Sequence, residues 1–92
     1  MRFAENKGAA ADHMPGHQQW IERGLQDEVF LLVGSIAPGL GGAVLAHNTS
    51  LPQLRQRVAA DPFVAHGVVT AEIVEIAPGA VDPRLDFLAP VA

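Results

Sequence analysis

His17, in His17-Gln18-Gln19-Trp20, and Asp61, in Asp61-Pro62-Phe63, are the two side chains of this sequence whose types could move a proton together. An imidazole titrates near neutral pH and can take and return a proton, while a carboxylate beside it fixes its tautomer and stabilises the imidazolium. No other chemistry competes, because the chain has no cysteine, no tyrosine and no cationic cluster. Each residue also has a plainer reading: His17 as a half-buried histidine on an apolar helix face, Asp61 as the cap of a turn that Pro62 begins. The two roles of Asp61 are compatible, since one carboxylate oxygen can accept a backbone N–H while the other faces His17.

Other candidates carry less. His13 and His17, four apart with Asp12 before them, invite a metal reading, but Pro15-Gly16 between the histidines argues against a regular helix spanning both, and the two histidines have no convincing third ligand, so no metal is expected. Gly39 to Gly42 precedes a strand rather than a helix and is read as a turn, not a phosphate cradle. Trp20 and Phe63 could stack on a flat substrate, and Ser35 could offer a hydroxyl to a pocket; large rings in an alanine-rich chain also serve as core or interface anchors. His47 and His66 read as surface residues, and Glu72 and Glu75 as solvated edge protection.

These residues need elements to hold them. From Pro15 to about Gln26, His17, Trp20, Ile21 and Leu25 fall on one side of a helix, and Pro15 suits its first turn. Val29 to Val33 is an apolar run of strand length, and a second strand from Gly42 to Ala46 follows the turn residues Pro38-Gly39 and Gly41-Gly42, making a hairpin. Ser50-Leu51-Pro52-Gln53 has capping-box spacing for a helix running to about Ala60. Asp61 can cap a further short turn over Phe63 and Val64, closed by His66-Gly67. Val68 to Ile76 reads as the last strand, with Val69, Ala71 and Ile73 on one face, and Asp82-Pro83 to Leu88 as a capped turn whose Leu85, Phe87 and Leu88 dock on the body.

With Met1 to Ala4 as a stub strand, the order is βαββαβ. That is the pattern of a ferredoxin-like α+β fold, an antiparallel sheet with helices on one face and its first strand truncated. At 92 residues the chain is a single domain over 1–92, small enough that about two-thirds of its unfolded surface is buried. Its hydrophobic content of 49% with only 5% aromatics implies a dense aliphatic core. Val29 to Val33 and Ala43-Val44-Leu45 are apolar on both faces of the sheet, so the helix-free face is expected to be covered in a homodimer. A net charge of −4 makes nucleic acid an unfavoured partner. The start lacks a secretory pattern, and the longest apolar run is too short for a bilayer, so a soluble, cytoplasmic protein without a membrane partner is expected.

Taken together, these segments resemble the YCII-related family of small chains with the dimeric α+β barrel fold. His17-x-x-Trp20 is similar to the family's first-helix pattern, Phe30-Leu31-Leu32-Val33-Gly34-Ser35 to its second strand, and Gly41-Gly42 to the opening of its third. Ala60-Asp61-Pro62-Phe63-Val64 with Gly67 is the most distinctive match. The resemblance covers nearly the whole chain and implies an active site of one histidine and one aspartate, which fall on His17 and Asp61, with Ser35, Trp20 and Phe63 as candidate substrate contacts. One relative is a dehydrochlorinase, and the fold resembles that of muconolactone isomerases. The expectation is therefore a lyase or isomerase acting on a small organic molecule by acid–base chemistry without a cofactor. The alternative is a non-catalytic dimeric module that binds a small ligand or serves assembly. Relatives begin with a full apolar first strand where this chain has three or four residues, from which residues upstream of Met1 are expected.

Overall fold

A computed structural model describes residues 1–89. The chain forms strand β1 (Arg2–Phe3), helix α1 (Ala10–Gln26), strands β2 (Phe30–Ile36) and β3 (Gly41–Ala46), helix α2 (Leu51–Ala59), the single-turn helix α3 (Pro62–Ala65) and strand β4 (Val69–Thr70), with 3₁₀ turns at Lys7–Ala9 and Pro83–Leu88. The strands make one antiparallel sheet in the order β2-β3-β1-β4, so the architecture is α+β.

The locally signalled elements form where their signals stand. Ser50 accepts the Gln53 N–H, and the Gln53 side chain accepts the Ser50 N–H, which is a complete capping box at the start of α2. Asp61 caps α3, and Gly67 takes a positive φ of 71° where the chain leaves it. The β2–β3 hairpin pairs Val33 with Val44 and Ser35 with Gly42, and has an irregularity between Phe30 and Leu32.

Two boundaries differ from the sequence reading, each for a nonlocal reason. Helix α1 begins at Ala10, not Pro15, and runs through the proline. Pro15 has no N–H for the Ala11 carbonyl, a defect that costs about 3 kcal/mol in a helix interior, but the alanines at 9 to 11 favour helix and the first turn packs on the core. The helix therefore does span His13 and His17. The last strand is also much shorter than Val68 to Ile76: β4 holds only Val69 and Thr70. A strand is defined by its partner, and β1 supplies only Arg2 and Phe3 for the ladder, opposite Thr70 and Val69. Residues 71–78 continue without helix, turn or bend, but unpaired in the ladder.

A small core of Phe63, Val68 and Val69, with Met1, Ala9, Ala10 and Val64 packed on it, joins α3 to the sheet. Phe30, also buried, meets α1 at Trp20. By strand alternation Phe30, Val33 and Ser35 share the helix-bearing face, whereas Leu32 and its register partner Leu45 point to the other and are 63% and 39% exposed. At the tail, Asp82 accepts the N–H of Arg84, and the Arg84 guanidinium and this backbone bond hold its carboxyl below its ordinary range. Phe87 of that turn is largely exposed, meeting the His47 ring edge-on.

Candidate functional site

The short helix α3 is held at both ends by histidines from α1. His17 Nδ1 lies 2.8 Å from Oδ1 of Asp61, the residue preceding α3. One turn earlier on α1, the His13 ring stacks on the ring of His66, the residue following α3, with centroids 4.0 Å apart. Residues four apart on a helix lie on one face, so this double contact exists only because α1 continues through Pro15. Between the histidines, Gly16 lets the helices approach: a Cβ there would stand 3.0 Å from Cγ of Pro62.

Asp61 is completely buried. Its Oδ1 accepts two hydrogen bonds, from His17 Nδ1 and from the Phe63 N–H at 3.1 Å. Its Oδ2 is buried with no partner among the described residues. The division of labour expected from the sequence, one oxygen for the cap and one for the histidine, is thus corrected: α3 and His17 approach Asp61 from the same side, and one oxygen serves both. A carboxylate oxygen accepts, so in this contact Nδ1–H of His17 is the donor, and Nε2 is the ring nitrogen that the contact leaves free. Buried carboxylates acting this way orient an imidazole firmly, because the ring cannot turn without stranding a charge.

The His17 side chain is 17% exposed. Its ring lies flat against Phe63, centroids 3.9 Å apart and planes within 3°, and nearly parallel to Trp20 at 5.9 Å. Phe63 is buried, and its ring face is occupied by His17, so it forms a wall behind the imidazole instead of a free stacking platform. Trp20 is half-buried; its indole N–H donates to the Arg57 carbonyl of α2 at 2.8 Å, while its edge meets Phe30. Ser35 is exposed at the hairpin end of β2 and makes no hydrogen bond to the pair.

Two cavities flank the site. One, of about 1020 Å³, is an open trough between α1 and α2 that includes Trp20, Arg57 and Asp27; the other, of about 790 Å³, lies between β3 and residues 71–76 and also reaches Trp20. Neither His17 nor Asp61 lines either of them, so Trp20 is the link between the pair and the open space. Among the described residues no group of three or more His, Cys, Asp or Glu side chains is arranged to hold a metal ion, and no helix is long and apolar enough to cross a membrane.

The sequence reading missed the His13–His66 stack and the Arg57–Asp27 ion pair at 3.0 Å that ties α2 to the end of α1. The first was visible as the i, i+4 spacing of His13 and His17, once Pro15 is allowed inside the helix. The second carries no local signal. Comparison with protein-family models, with curated proteins and with solved structures gave no match.

Proposed function

We propose that the protein is a YCII-like, ferredoxin-like acid–base enzyme of lyase or isomerase type, with His17 as the proton carrier and Asp61 as its orienting carboxylate. The supporting observation is the 2.8 Å contact from His17 Nδ1 to a fully buried Asp61. In this reading His17 Nε2 removes a proton from carbon next to a carbonyl of a small acid or lactone. In an isomerisation the C–H electrons become an enolate and the imidazolium, stabilised by Asp61, returns the proton to another carbon of that enolate; in an elimination the enolate's electron pair forms a C=C bond as chloride leaves with the C–Cl pair, and the imidazolium gives its proton to solvent. Trp20 is the surface on which a flat substrate rests beside the ring.

Solvent exchange tests this without knowledge of the natural substrate. Unsaturated lactones with a C–H next to the carbonyl, incubated with the protein in D₂O, are expected to gain deuterium at that carbon, followed by proton NMR. His17→Phe, which keeps a flat ring against Phe63, should fold and lose the exchange. Exchange that persists in this variant rules out His17 as the base.

A second reading has its own observation. Asp61 Oδ1 serves the α3 cap and His17 together, and the pair lines neither cavity. On that reading the pair is a clamp between α1 and α3 in a non-catalytic dimeric module, and His17→Phe costs stability without a change in any exchange. Both readings place a second copy against the open sheet face at Leu32 and Leu45.

A further inference from the structure

Helix α1 carries a second histidine one turn before His17, and α3 ends on a histidine that meets it. The rings of His13 and His66 stack with centroids 4.0 Å apart and planes within 7°. Both backbones are fixed. His13 lies inside α1, and the His66 carbonyl accepts a hydrogen bond from the Asn6 side-chain amide at 2.6 Å, just before Gly67 takes its positive φ. Neither ring makes a hydrogen bond or an ion pair among the described residues; His66 is exposed, and His13 is half-buried with its ring nitrogens open to solvent. Two imidazoles brought together with free, reachable nitrogens are a donor set for a late first-row divalent cation, and not for a hard one such as Mg²⁺, which takes oxygen. The sequence reading set a metal aside because it paired His13 with His17 across Pro15, and His66 was not among the ligands it weighed.

We propose that His13 and His66 hold a divalent cation of the zinc, nickel or copper class through one nitrogen each, with water in the remaining positions. Water completes the shell because no third His, Cys, Asp or Glu is arranged with them among the described residues. A bound ion lies in the plane of each imidazole at about 2.0 to 2.1 Å, so two nitrogens on it stand about 3.3 Å apart at a tetrahedral angle. Parallel rings cannot both point at one ion, so one of them turns about χ2, which is a broad torsion in histidine. The exposed His66 is the ring with room to turn, and the 4.0 Å stack leaves its nitrogens within that single rotation of the ion. The cation then ties the C-terminal end of α3 to α1, as the contact between His17 and Asp61 ties its N-terminal end. The site uses neither His17 nor Asp61, so it stands apart from the acid–base reading.

The test titrates zinc chloride into the whole chain and follows the ring protons of its four histidines by NMR. The His13 and His66 resonances are expected to shift together and to saturate at one zinc per chain. His13→Asn and His66→Asn each remove one of the two ligands, and each should bind zinc at least about tenfold more weakly. Zinc should raise the melting temperature of the parent chain but not of either variant. Magnesium chloride at the same concentrations should move neither ring. Two resonances that respond at different zinc concentrations, half-saturation above about 1 mM, or a variant that binds as tightly as the parent overturns the proposal. So does binding that is lost in His17→Phe and kept in His66→Asn, which assigns the ion to His13 and His17 on α1 instead.

Discussion

His17 and Phe63 lie ring on ring, 3.9 Å apart and within 3° of parallel, while the carboxylate two residues before Phe63 holds the imidazole edge. The turn Asp61-Pro62-Phe63 thus grips one histidine through a single dipeptide step: the carboxylate fixes its hydrogen-bonding direction and the ring fixes its plane. Only two side-chain torsions remain to His17, and both are constrained. Such immobility suits either a poised base or a structural clamp, and a coupling energy separates the contribution of the hydrogen bond from that of the stack.

A double-mutant cycle measures it. Asp61→Ser keeps a good helix cap but is too short to reach His17, and His17→Phe keeps the stack but removes Nδ1. The coupling between the two changes, from urea denaturation of the four proteins, is expected to be about 1 to 3 kcal/mol, because each single change strands a buried polar group. Additive effects would mean that the 2.8 Å contact contributes nothing to stability.

Ser50→Ala removes half of the capping box of α2 and should destabilise the protein by about 1 kcal/mol. For a domain of this size that is a fall of about 4 to 8 °C in melting temperature, read by circular dichroism. The Arg57 carbonyl that anchors Trp20 lies at the other end of the same helix. Trp20 fluorescence should therefore report the loss at the same temperature as the helix signal.

Leu32 and Leu45 form a register pair on the open sheet face. Apolar area of this kind contributes about 25 cal/mol per Å² when it is removed from water. On the proposed dimer, Leu45→Glu should move the monomer–dimer midpoint to at least about tenfold higher concentration in sedimentation, with the monomer still folded. A chain that sediments as a monomer at all concentrations before the change removes the dimer from both functional readings.

The elements legible in the sequence are those whose determinants lie within a few residues. Ser50 to Gln53 and Asp61 to Phe63 each carry cap, proline and first turn in one stretch, and both form there. Pro15 misled because a proline at a helix start and a proline six residues in look alike until the packing of Ala9 and Ala10 is known. The extent of β4 was not legible, since its sequence is strand-like to Ile76 while its ladder ends with its two-residue partner. For the site, residue types pointed to His17 and Asp61, but the sharing of one oxygen depends on the angle between α1 and α3, which no local spacing encodes.

Gly24→Ala reverses the usual helix rule. Alanine gains about 1 kcal/mol over glycine in a helix interior, but a Cβ at this position would stand 2.2 Å from the Phe30 ring. The ring is buried, so it cannot swing into solvent. The clash outweighs the propensity, and a net loss of about 1 to 3 kcal/mol is expected in urea denaturation. A stabilised variant would show that α1 and β2 can separate at no cost.

Glu28→Gly should do the opposite four residues later. At the end of α1 the Glu28 N–H bonds to the Leu25 carbonyl and the Val29 N–H to the Gly24 carbonyl, the crossed pair that closes a helix through a left-handed residue. Glu28 is that residue, with φ of 61°, and its Cβ crowds the backbone there by about 1 to 2 kcal/mol. Glycine relieves the crowding but frees the unfolded chain, which returns part of the gain. A rise of about 1 kcal/mol in stability is therefore expected, visible as a higher denaturation midpoint with an unchanged slope. If the midpoint falls instead, the left-handed turn between α1 and β2 is not the conformation that the folded chain adopts.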